Sequence, residues 1–77
     1  MDEDLARIMI SAGLRAGSEL TALLSILAQH LPDDEALRLR IAAVLADIGS
    51  NVLEPAFVAH PDLREEWDRR IDKYGRA

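Results

Sequence analysis

The chain reads as an all-α protein, a long antiparallel helical hairpin with a short C-terminal helix added to it. Apolar residues recur at steps of three and four from Leu5 onward, through Met9, Ala12, Ala16, Leu20, Leu23 and Leu27 to Leu31. That is the spacing of one face of a helix. A second stripe of the same period begins just after Pro32-Asp33-Asp34. No segment shows the two-residue alternation of a half-buried strand, and there is neither an internal repeat nor a low-complexity tract. One helical domain spans residues 1–77, with helices expected at about 3–30, 33–53 and 62–74.

The first helix opens on Asp2-Glu3-Asp4, whose negative charge complements the positive end of the helix dipole. With Leu5 at zero and about 100° per residue, Ile8, Ala12, Leu5, Leu23, Met9 and Leu27 lie between about 300° and 40°. Gly13, Leu20, Leu24 and Leu31 widen the arc to about 100°. Arg7, Ser11, Arg15, Ser18, Ser25 and Gln29 take the other side. Gly13 and Gly17 weaken the segment, each by about 1 kcal/mol relative to alanine. The stripe keeps its phase across both, so a continuous helix is expected, against a break at Ser18.

Pro32 and the acids after it mark a turn and a new helix start. Pro55 is expected to end this second helix, because the residue before a proline is pushed out of helical geometry. Two apolar faces run along it. Leu37, Ile41, Val44, Leu45, Ile48 and Val52 form one, and Leu39, Ala42, Ala46, Gly49 and Leu53 form the other. Phe57, Val58 and Ala59 read as a linker to the third helix. That helix opens either on an Asp62-x-x-Glu65 capping box or on Pro61 as its first residue. Its apolar face is narrow, comprising Leu63, Trp67, Ile71 and Tyr74. Glu65–Arg69, Glu66–Arg70 and Asp72–Arg76 are spaced for ion pairs on its outer surface.

Composition bounds the function. A 77-residue domain buries only about 60–65% of the surface its unfolded chain exposes, so it needs a staple or a partner. Cysteine is absent, which removes a disulfide framework and thiolate chemistry. The longest uncharged run, Leu20 to Pro32, is 13 residues, short of a membrane span. The acidic N-terminus differs from a basic secretory leader. A cytoplasmic protein without membrane contact is expected, and arginine-over-lysine and alanine-rich usage suits a bacterial source. The net charge of −5 opposes nucleic-acid binding, which depends on neutralising phosphates.

Association follows from the second helix. A helix apolar around more than half its circumference has neighbours on two sides, and the third helix is too short and narrow to supply both. The expected self-association surface is Leu39, Ala42, Ala46, Gly49 and Leu53, joining two copies as a two-fold dimer into a helical bundle. Trp67 and Tyr74 are candidate anchors for a further protein partner, or a roof over the core with polar tips in solvent. His30, near Asp33, Asp34 and Glu35, and His60 have a metal-site palette without metal-site spacing. Glu19 falls inside the apolar arc of the first helix, with Arg15 one turn earlier to pair it. No arrangement of nucleophile, base or phosphate loop is present, so no catalytic, cofactor or metal residue is expected. The function expected is that of a homo-oligomeric regulator, adaptor or subunit. The alternatives are a bundle holding a small apolar ligand or metal, and a nucleic-acid-associated regulator.

Overall fold

The structure is a computed structural model describing residues 1–75, all-α throughout. The first helix, α1 (Glu3–His30), is unbroken across Gly13 and Gly17. Asp2 caps it, its side chain accepting from the Leu5 N–H at 2.7 Å, and His30 lies in the last turn, where a cation suits the dipole. The connection is tight. Arg38 Nη1 donates to the carbonyls of Leu31 and Pro32 at 2.9 and 3.0 Å. Asp34, accepting from the Leu37 N–H at 3.1 Å, caps the next helix. That helix therefore begins at Glu35, and Asp33 belongs to the turn.

Pro55 does not stop the second helix. Helix α2 (Glu35–Ile48) passes through a π-helical turn (Gly49–Leu53) into α3 (Glu54–Ala59), giving 25 helical residues in sequence. The physical reason lies in what proline does to a helix. It lacks an N–H, and its ring collides with the carbonyl four residues earlier. In the wider turn the Glu54 N–H reaches back five residues to the Gly49 carbonyl. Pro55 then stands in the first turn of α3, where a missing N–H costs nothing. Phe57, Val58 and Ala59, expected in a linker, are thus helical.

His60 ends α3 and leads into α4 (Pro61–Tyr74). Pro61 takes the first position of α4 and no side chain caps it, so the capping-box alternative is not used. Gly75 closes α4 in the left-handed region at φ 71°, its N–H donating to the Ile71 carbonyl at 2.7 Å. The expected Asp72–Arg76 pair involves a residue outside those described.

Helix α1 and the α2–α3 helix lie side by side and antiparallel. Gly13 faces Leu53 while Gly17 faces Leu45, so later residues of one helix meet earlier residues of the other. The core is confined to one end, where α1, α3 and α4 converge on Ala6, Ala56, Phe57 and Leu63. Phe57 stacks on Trp67 with ring centroids 6.0 Å apart, and the Arg64 guanidinium lies 4.8 Å from the Phe57 ring centre. Surface ion pairs fasten the same end: Arg7–Glu66 at 3.0 Å, Arg70–Glu66 at 2.8 Å and Arg64–Glu54 at 2.7 Å. Elsewhere α1 and the α2–α3 helix pack chiefly on each other. The backbone envelope measures 43 × 27 × 14 Å, its thinnest dimension that of two packed helices.

Candidate association surface

A chain this flat exposes more surface than its mass requires. A compact monomer of 8.5 kDa has about 4,650 Å² of accessible surface, whereas this chain has 5557 Å². The excess of about 900 Å² is close to the ~800 Å² each partner contributes to a standard protein–protein interface. No large side chain is fully buried anywhere among the described residues.

The five residues singled out on the second helix divide. Leu39 is 62% exposed, and Ala42 and Ala46 beside it are exposed as well. Gly49 and Leu53 are half-buried, and Leu53 turns inward against Gly13 of its own chain. Trp67 and Tyr74 are not brought together. Trp67 packs inward on Phe57, and its indole N–H is buried without an acceptor. The expectation that this N–H reaches solvent fails because α4 turns the indole nitrogen inward, on a residue that is half-buried overall. Tyr74 is 65% exposed, with Lys73 Nζ 5.2 Å from its ring centre.

More large apolar side chains are exposed on α1 than on α2. The arc of α1 from about 280° to 20° holds Leu5, Ile8, Ala12, Arg15, Ala16, Glu19, Leu23 and Ile26. All eight are exposed. The side of α1 that faces α2 and α3 is turned by roughly 90° from that arc, onto Ala6, Gly13, Gly17, Leu20 and Leu24. Gly13 marks the rotation, because it lets Leu53 approach the α1 backbone more closely than a Cβ would allow. Arg15 and Glu19, expected to pair, form no ion pair with any described residue. The order Arg-then-Glu at four residues is also the weaker orientation within a helix.

Other candidate chemistry is sparse. His30 stands at the end of α1 beside the Pro32–Asp34 turn, and no three His, Asp or Glu residues among those described are placed to share a metal ion. His60 Nε2 lies 2.8 Å from the Met1 carbonyl, tying the N-terminus to the α3–α4 junction. A cleft of about 210 Å³ between α1 and α4 is lined by Arg7, Ile10, Leu14, Leu63, Glu66, Trp67 and Arg70. Its charged rim is already paired, since Glu66 accepts from both arginines and Glu3 accepts from Arg7. The Arg7 hydrogen bond holds the Glu66 carboxyl below its usual range. Desolvation opposes this, and the charges of Arg7, Arg70 and Arg69 reinforce it.

The 25-residue helix Glu35–Ala59 is long and apolar enough, by length and composition, to cross a bilayer. The test of an uncharged run misses it, because Arg38, Arg40, Asp47 and Glu54 interrupt its apolar residues. No protein-family model, curated protein or solved structure matches this chain.

Proposed function

We propose that this protein is a self-associating helical subunit, a two-fold dimer favoured, that acts through protein–protein contacts as a regulator or adaptor. The observation that carries this is the surplus of about 900 Å² over a compact monomer, on a chain whose core is confined to one end. Large apolar side chains form part of the exposed surface. Leu5, Ile8, Leu23 and Ile26 on α1 and Leu39 and Val44 on α2 are each more than a third exposed. Soluble monomers seldom leave contiguous apolar patches beyond a few hundred Å² in water. A bilayer suits the second helix less well, because Asp47 and Glu54 lie within it. Each carboxylate costs on the order of 3 kcal/mol near a membrane centre. Sedimentation equilibrium tests the reading. The expected mass is about twice 8.5 kDa at tens of micromolar, and a mass of 8.5 kDa there overturns it.

A further inference from the structure

We infer that two copies join through α1, packed antiparallel against itself about a two-fold axis passing between Arg15 and Ala16. This rests on the self-association proposed above and names its surface, which is not the α2 stripe that the sequence singles out. The exposed arc of α1 is self-complementary in reverse. A two-fold axis at that point brings Leu5 level with the partner's Ile26 and Ile8 level with the partner's Leu23. All four side chains are exposed within one protomer, by 45%, 53%, 63% and 38% in that order. Between these apolar ends lie Ala12 and Ala16, small enough for the helices to approach to about 8 Å.

Charge complements the same axis. Glu19 sits inside the arc and comes level with the partner's Ala12, which leaves room for its carboxylate. The partner's Arg15 then stands about 4.5 Å away along the helix direction, within reach of its long side chain. Within one protomer neither Arg15 nor Glu19 has an ion-pair partner among the described residues. The two-fold supplies both, forming two symmetric Arg15–Glu19 pairs that set the register at a cost in apolar contact. The whole-chain surplus of exposed surface leaves area for such a contact.

Single-cysteine variants test this cleanly, because the chain has no cysteine of its own. Ala16→Cys places a thiol beside the axis, opposite its own copy. In a glutathione redox buffer it should form a covalent dimer, whereas Ala46→Cys on α2 should stay monomeric on a non-reducing gel. A sedimentation mass of two chains with crosslinking only at Ala46→Cys, or equally at both, overturns the α1 arrangement and leaves self-association standing. A single-chain mass without crosslinking at either site overturns both proposals. Glu19→Arg, which gathers four cations at the axis, should weaken association at least tenfold while leaving helicity unchanged by circular dichroism. The reversed pair Arg15→Glu with Glu19→Arg should restore the dimer. Unaltered association in Glu19→Arg overturns the inference, and if that variant fails to fold the crosslinking result decides.

Discussion

Leu53 lies against the backbone of α1 at Gly13, so close that a Cβ there would sit 2.6 Å from its Cδ2. The same Cβ would meet Val52 Cγ1 and Leu53 Cγ at 3.2 Å. Four residues on, a Cβ at Gly17 would meet Leu45 Cδ1 at 3.5 Å, an ordinary contact. One glycine is held by packing, and the other only weakens its helix.

The two substitutions should therefore differ in sign. Gly17→Ala should stabilise the protein by up to about 1 kcal/mol, the helix-propensity gain. Gly13→Ala gains the same propensity but must displace Leu53 and the β-branched Val52, and overpacking of this kind costs about 1–3 kcal/mol. A net loss is expected. Urea midpoints at constant protein concentration measure both, and a stabilising Gly13→Ala would mean the two helices do not meet there.

Phe57 should be the most sensitive position in the chain. It is 5% exposed, stacked on Trp67 and covered by Arg64. Truncating such a ring to alanine costs about 3–5 kcal/mol, a large share of the few kcal/mol that stabilise a domain of this size. Phe57→Ala should lower the thermal midpoint by more than about 12 °C and shift Trp67 fluorescence to the red as α4 loosens. A midpoint lowered by only a few degrees would place the core elsewhere.

Acid should loosen the α1–α4 junction. Glu66 has its carboxyl pKa lowered by Arg7, so its contribution is fully present above the ordinary value of 4.5 and is lost as pH falls through the lowered folded value. Glu66→Gln should be less stable than the natural chain at neutral pH and converge with it in acid. Urea midpoints of the two proteins across pH 2.5–7 measure this. A gap that persists at the acid end would assign the loss to packing and not to charge.

The long first helix was legible because each of its signals is local: acids at the start, one unbroken stripe, a proline after the end. Which part of its wide apolar arc faces inward was not. That choice is marked by Gly13 meeting Leu53, a residue far along the chain, and no periodicity encodes it. The first turn of α4 had two readings and the structure uses Pro61. Phe57 was lost to a linker for a different reason. Proline ordinarily ends a helix, and the wider turn that carries the chain past it leaves no composition of its own. The aromatic two residues after Pro55, beside an alanine as small as Ala56, was the available hint.

The wider turn also decides which residues the α2–α3 helix can turn toward α1. In a regular α-helix Phe57 would point about 160° away from the direction shared by Ile41, Ile48 and Val52, on the same side as exposed Leu39. One surplus residue taken up between Gly49 and Leu53 turns everything downstream back by about 100°. Phe57 and Ala56 then straddle the inward direction, while Val58 is carried out to water, where it is 68% exposed. Deleting a single residue such as Ser50 would thus remove the surplus and leave Phe57 facing inward on a regular helix, whereas straightening the turn with every residue kept would carry the ring out to the skin.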